Sequence, residues 1–299
     1  MQKTKKLPFK GASCAVITPF LSDGRVDRDA LSKMITRQIS EGTDALTVLG
    51  TTGEAPTVSD REHHAILSLS VESAGGRIPV IGGCGSNDTH HAVYLAESAE
   101  DAGCDAVLAI TPYYNKASRD GLIRHFSEIA GAVSIPIILY NVPQRTGVSI
   151  PFEVYRELSE VENIVAVKDA SGDLSVATKI ISELSDRLYL YSGNDELTLP
   201  LMAMGACGVI SVASNVLPRE MTELCKYCLE GNFKAARELH MRLLSIFGML
   251  SCEVNPIPVK YAASIIGLCR PYYRLPLCRP SSEKAEYIKS VMKNYGFDI

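Results

Sequence analysis

Lys168 closes an apolar run. In "NIVAVKDASGD", residues 163 to 173, Ile164, Val165, Ala166 and Val167 read as a buried strand, and the next side chain is a charged amine. An ammonium held even partly out of water is costly, and the usual relief is loss of its proton. A neutral lysine is a nucleophile. Taken alone, the same residue reads as a solvated strand end, so its neighbours in space have to decide. Other polar groups end other apolar runs in the same way. Thr18-Pro19 follows the first and "GTTGE" (50–54) the second. Gly82-Gly83 with Asn87 follows the third, "TPYYN" (111–115) the fourth, and Tyr140-Asn141 ends the fifth. Lys168 ends the sixth, Ser192-Gly193-Asn194 the seventh and Ser211 the eighth. Hydroxyls, amides and two tyrosine groups recur, and no second lysine ends a strand.

A lysine with tyrosine and threonine, and no metal, suits Schiff-base formation with a carbonyl substrate. The amine must be unprotonated to attack, and desolvation favours that form. Proton shuttling must then expel water from the carbinolamine. A phenol such as Tyr140 beside a threonine hydroxyl can carry that proton. The iminium is an electron sink, and loss of an α-proton gives an enamine, a carbon nucleophile. Arg145, in "PQRTG", is suited to a bidentate carboxylate contact. Each feature also has a bland reading. "GTTGE" makes a tight turn with a helix cap, Tyr113-Tyr114 packs on a surface, Tyr140 is a bonded core tyrosine, and Arg145 pairs with a surface carboxylate. Only a fold that gathers them at one mouth favours the chemistry.

The spacing supplies that fold. Apolar runs begin near Cys14, Ala45, Ile78, Ala106, Ile135, Ile164, Leu188 and Gly208, most of them about 24 to 33 residues apart. That is a strand, a loop, a helix and a return. Between them the apolar period turns helical, as in Leu31, Met34, Ile35 and Ile39. Ser59-x-x-Glu62 is a capping box, and Gly75-Gly76 ends the helix it starts. Eight such units predict an α/β protein, a (β/α)8 TIM barrel over residues 11–231, with a helical C-terminal region over 232–299. In this fold the strand ends share one face. A doubly wound open sheet is the competitor, but "GGCGSND" (82–88) does not complete a phosphate-loop pattern.

Composition narrows the classes. The 299 residues are 46% apolar and 21% charged, with net charge −4. The acidic balance argues against a nucleic-acid surface. The basic cluster "KTKKLPFK" (3–10) reads as a mobile tail. It has no apolar core of signal length, and no stretch reaches the roughly 20 residues of a membrane span, so no membrane partner is expected. Nine scattered cysteines read as reduced thiols in the cytoplasm. Cys225 and Cys228 sit on a predicted helix without a second pair. The histidine pairs His63-His64 and His90-His91 lack metal-ligand spacing. No metal and no cofactor are expected.

"GTTGE", "TPYYN", "YNVPQRTG" (140–147), "VKDASG" (167–172), "YSGND" (191–195) and "NPIPVK" (255–260), in that order, resemble the 4-hydroxy-tetrahydrodipicolinate synthases, also called dihydrodipicolinate synthases. These belong to the pyruvate-dependent class I aldolases. The resemblance runs from about residue 11 to the C-terminus. It implies a barrel with a helical C-terminal part, a homotetramer built as a dimer of tight dimers, and condensation of pyruvate with L-aspartate-4-semialdehyde on the route to diaminopimelate and lysine. By motif, Lys168 forms the Schiff base and Tyr140 moves the proton. Thr51 links Tyr140 to Tyr114 of the neighbouring subunit. Thr52 holds the pyruvate carboxylate, Arg145 receives that of the semialdehyde, and Gly193 and Ile210 contribute backbone groups. The second substrate rests on this resemblance alone.

Two other functions stay open: a lyase of sialic acid or a keto-deoxy sugar acid from the same superfamily, and a barrel that binds a keto acid without turnover. Sugar-acid lyases resemble the family in the lysine but generally lack the arginine. An intact Lys168, Tyr140 and Thr51 argue against the non-catalytic barrel. Lysine-sensitive members of the family bind lysine in a cleft at the tight-dimer interface. The matching positions are His63, Asn87 and Tyr113, but His91 stands where those members carry a glutamate. Weak or absent inhibition by L-lysine is therefore expected, with Asp60 or Asp88 near enough in sequence to substitute.

Overall fold

Alternation along a strand sends one set of side chains inward and the other outward. The computed structural model describes residues 5–299. In it the apolar runs form parallel strands β1 (Gly11–Ala15), β2 (Ala45–Val48), β3 (Val80–Gly83), β4 (Ala106–Ile110), β5 (Ile137–Asn141), β6 (Ile164–Asp169), β7 (Tyr189–Ser192) and β8 (Gly208–Ser211). Each strand pairs with the next and β8 pairs with β1, closing a (β/α)8 barrel. The helices are α1 (Arg28–Ser40), α2 (Asp60–Ala74), α3 (Thr89–Asp101), α4 (Arg119–Ala132), the single turn α5 (Pro143–Thr146), α6 (Phe152–Leu158), α7 (Leu174–Leu184), α8 (Thr198–Met204) and α9 (Pro218–Leu229). After Gly231 come α10 (Phe233–Leu250), α11 (Ile257–Ile265) and α12 (Ser282–Tyr295). Helix α10 packs against α8, α9 and α12, and its Leu243, Ile246 and Phe247 join the core outside the barrel.

Two apolar cores result. The outer one, between strands and helices, holds Leu46, Val107, Leu139, Val167 and Val209 with Ile35, Leu67, Phe126 and Ile180. The inner one fills the lumen with Ala45, Ile81, Ala106, Ile138, Tyr140, Ala166, Tyr191 and Ile210. A bulge sets the phase of β6. Ile137 faces Ile164, but Ile138 faces Ala166, so Tyr140 stands opposite Lys168. A one-residue slip would send Lys168 to the other face.

Strand starts differ from expectation where the backbone intervenes. The runs expected from Ile78 and Ile135 become strands at Val80 and Ile137. Pro79 and Pro136 lack the N–H to pair, though their carbonyls accept from the Leu46 and Val107 amides, both at 2.9 Å. The first run starts at Gly11, before Cys14, where two glycines face each other across the β1–β8 seam. A Cβ on Gly208 would lie 1.8 Å from the Gly11 carbonyl oxygen. The capping box forms as expected, with Glu62 accepting from the Ser59 amide at 3.1 Å.

The basic cluster is corrected. Residues 3 and 4 of it lie outside the described residues, but Lys5 is not a loose end. Its Nζ donates to the carbonyls of Ser159, Val161 and Ile164 at 2.6, 2.6 and 2.7 Å, and partial burial lowers its pKa to about 8. Phe9 stacks on Tyr191 at 4.4 Å, and the Tyr191 hydroxyl donates to the Phe9 carbonyl at 2.6 Å. This segment closes the N-terminal end of the barrel. All nine cysteines are free, and Cys225 and Cys228 are buried in α9. Among the described residues no helix is long and apolar enough to cross a membrane.

Candidate active site

At the C-terminal ends of the strands lies a cavity of about 480 Å³. Lys168, Tyr140, Thr52, Arg145, Gly193 and Asn255 line it. Lys168 reaches it because it shares the inward phase of Ala166 and Ala170. It is only 6% exposed, and its Nζ lies 4.2 Å from the centre of the Tyr140 ring. Among the described residues it forms no ion pair. The amine therefore has the Tyr140 ring beside it and no carboxylate bonded to it, and it opens on the cavity where a carbonyl substrate would meet it. The adjacent Asp169 points away and is occupied. It accepts from Asn141 Nδ2 at 2.9 Å and from the Ser171 hydroxyl at 2.8 Å.

Gly193 is required by close approach. A Cβ there would lie 2.7 Å from the Ala170 Cβ and 2.9 Å from the Asp169 carbonyl oxygen, immediately beyond Lys168. Thr51 and Thr52 sit in a 3₁₀ turn, Thr51–Gly53, flanked by Leu49 (φ 57°) and Glu54 (φ 56°). Two non-glycine residues in the left-handed region mark stored strain around that turn. The Thr18 hydroxyl pins it by donating to the Gly53 carbonyl at 2.6 Å. Arg145, in the turn α5, is exposed, and its Nη2 donates to the Asn255 carbonyl at 3.0 Å.

Tyr140 and Arg145 also line a second cavity, of about 360 Å³. Thr51, Asp60, His63, His91 and Tyr113 are among its other polar lining residues. His63 is buried and its Nε2 lies 2.7 Å from the Gly83 carbonyl, and burial lowers its pKa. His91 Nε2 lies 3.0 Å from Asp60 Oδ1. The sequence left Asp60 and Asp88 as alternatives beside the histidines. Asp60 is the one in the cavity, while Asp88 caps α3.

Three expected residues stand apart. Tyr114 lines neither cavity, is 89% exposed and has φ 74°. Asn87 lines neither, and its carbonyl accepts from Asn115 Nδ2 at 2.8 Å. The Ile210 side chain is buried in the lumen core and lines neither. The sequence reading missed three groups. Asn255 Nδ2 donates to the Thr52 hydroxyl at 3.0 Å. Asp195 lines the first cavity and accepts from the Val212 and Ala213 amides at 3.1 and 2.9 Å, while burial pushes its pKa up to about 6. Glu54 and Lys260 form a fully buried ion pair. Their signal was present, since "GTTGE" and "NPIPVK" carry two of the three and "YSGND" the other, but they had been read only as motif text. Among the described residues no three His, Cys, Asp or Glu side chains gather to hold a metal.

The chain is similar to known proteins over nearly its whole length. The model of the Dihydrodipicolinate synthetase family matches residues 8–295. A 4-hydroxy-tetrahydrodipicolinate synthase of Aquifex aeolicus (strain VF5) is 45% identical over 292 residues, 97% of this chain and 99% of that one. A crystal structure of dihydrodipicolinate synthase from Aquifex aeolicus is similar with a TM-score of 0.94 and 46% identity, over 96% of this chain and 98% of that one. A monomeric dihydrodipicolinate synthase variant is also similar, with a TM-score of 0.93 and 38% identity, over 96% and 97% of the two chains.

Proposed function

Since the chain belongs to the dihydrodipicolinate synthetase family, we infer that it is a lyase condensing pyruvate with L-aspartate-4-semialdehyde to give 4-hydroxy-tetrahydrodipicolinate, in diaminopimelate and lysine biosynthesis. Lys168 is the nucleophile. Its neutral Nζ adds to the C2 carbonyl of pyruvate, and the carbinolamine loses water to form an imine. Loss of a methyl proton gives the enamine, which attacks the aldehyde carbon. The amino group of the added unit then displaces the lysine at C2, closing the ring and freeing Lys168.

Tyr140 is the proton carrier, since its ring lies against the amine and lines both cavities. Thr51, which lines the second cavity with Tyr140, passes the proton onward to Tyr114. A tyrosine as exposed as Tyr114 serves a neighbouring subunit's site, which implies a tight dimer, and two such dimers make the expected tetramer. Thr52 holds the pyruvate carboxylate and Arg145 that of the semialdehyde. Gly193 and Ile210 supply backbone contacts. The presence of Arg145 in the cavity favours the amino-acid aldehyde over a sugar acid, because its guanidinium matches a carboxylate on the aldehyde half, which a sugar aldehyde lacks. The second cavity, with its Asp60–His91 pair, is the candidate regulatory cleft.

The observation that carries this reading is Lys168, inward, buried and without an anionic partner, against the Tyr140 ring. Borohydride added with pyruvate should add one pyruvate-derived mass to the peptide containing Lys168, and Lys168→Ala should abolish it. An adduct on another lysine would overturn the assignment.

A further inference from the structure

We propose that the buried Glu54–Lys260 ion pair is a positioning device of the active site, tying the Thr51–Thr52 turn to α11 so that Thr52 and Arg145 keep their separation. This rests on the carboxylate-binding roles proposed above for those two residues.

Neither charged side chain has any exposure. The Lys260 Nζ lies over the Phe20 ring at 4.1 Å and 5.2 Å from that of Tyr273. Burial pulls its pKa down and the Glu54 carboxylate opposes that pull. A desolvated pair of this kind is weak as a stabiliser, since apolar side chains of similar size would hold the core as well. Its distinctive effect is directional. Glu54 takes a left-handed φ of 56° between two 3₁₀ turns, and such a residue needs an anchor. Its carboxylate provides one, accepting from Lys260 Nζ and from the Arg274 amide at 3.3 Å. Arg274 extends the tie, donating to the Thr57 carbonyl at 2.7 Å and pairing with Glu62 at the start of α2.

The other end of the tie is the start of α11. The Lys260 amide donates to the Pro256 carbonyl at 3.0 Å. Next to Pro256, Asn255 holds Thr52 through its side chain and Arg145 through its carbonyl. One short segment thus carries Lys260, which anchors the turn from behind, and Asn255, which holds both substrate-facing groups in front.

The test compares Lys260→Met with the double variant Glu54→Gln/Lys260→Met, measuring KM for each substrate, kcat and the melting temperature. Loss of positioning should raise KM for pyruvate and for the semialdehyde together, by tenfold or more, with a smaller fall in kcat. Simple loss of stability lowers the folded fraction and therefore kcat, leaving KM unchanged. If Lys260→Met does not fold, the double variant, with no unpaired buried charge, carries the test. A folded variant with both KM values at wild-type level overturns the proposal. Should the wild type fail to turn over the semialdehyde, the reading of function fails. The pair is then judged by the pyruvate concentration giving half-maximal borohydride trapping on Lys168, where a tenfold rise supports it and no change refutes it. A wild type that traps no pyruvate on Lys168 overturns both.

Discussion

Replacing Arg145 with alanine should injure one substrate and spare the other. The guanidinium sits at the mouth where the two cavities meet. Among the described residues its one hydrogen bond is from Nη2 to the Asn255 carbonyl. Its remaining donors have no partner among the described residues, and we assign them the semialdehyde carboxylate. Truncating one partner of a fully desolvated charge pair costs roughly 2–5 kcal/mol. Arg145 is exposed, however, so the contact belongs with ordinary charge-assisted hydrogen bonds, at about 1.5–3 kcal/mol. That range corresponds to roughly 10- to 150-fold, and screening at a wet mouth selects its lower part, roughly 10- to 40-fold. The loss should fall on kcat/KM for the semialdehyde. Half-saturation of borohydride trapping by pyruvate should move by less than about threefold, because Thr52 and Lys168 remain in place. Arg145→Lys should recover part of the loss, keeping the charge without the planar fork. The assays are steady-state kinetics with each substrate varied in turn, and trapping followed by mass. Equal losses for both substrates, or none for the semialdehyde, would refute the assigned role.

Asp195→Asn should stabilise the fold more at pH 8 than at pH 4. The folded carboxyl is raised to about 6, so its burial penalty grows as pH climbs from the unfolded value near 4 and is complete above about 6; two pKa units correspond to about 3 kcal/mol. Melting temperatures of both proteins at the two pH values test this, and a pH-independent difference sinks it. Activity should fall as the assembly dissociates if Tyr114 completes a neighbour's relay as proposed; sedimentation beside activity across a dilution series decides, and a monomer with full turnover contradicts the idea. L-lysine at millimolar concentration and pH 8 should inhibit little at saturating substrates, since Asp60 is already engaged by His91 and an ammonium ligand would have to displace it. Half-inhibition well below a millimolar in a lysine titration would show that Asp60 serves the ligand after all.

The barrel was legible because its signals are local. Apolar runs, caps and glycine stops repeat about every thirty residues, and each predicts its own unit. Lys168 and Tyr140 were legible for the same reason, as strand-end residues whose inward phase follows from alternation. Local signals fail where the determinant is a distant partner. Nothing near Glu54 marks it as half of an ion pair with Lys260, 206 positions away. Nothing near Lys5 announces three carbonyls beyond residue 158. Asn255 looked like motif text until its amide met Thr52 across the cavity. The Pro79 and Pro136 offsets were available in principle, because proline's missing N–H can be read from sequence.

The seam between β1 and β8 bears on how the molecule is made. Gly11 pairs with Gly208, and the segment ahead of β1 docks on residues 159–191. A ribosome that makes about 5–20 residues per second therefore leaves β1 with one bare edge for roughly 10–40 s. During that interval the nascent chain is an open sheet with unpaired strand at its margin, which is the form most prone to join another chain. Chaperone demand during synthesis should accordingly end with the emergence of β8.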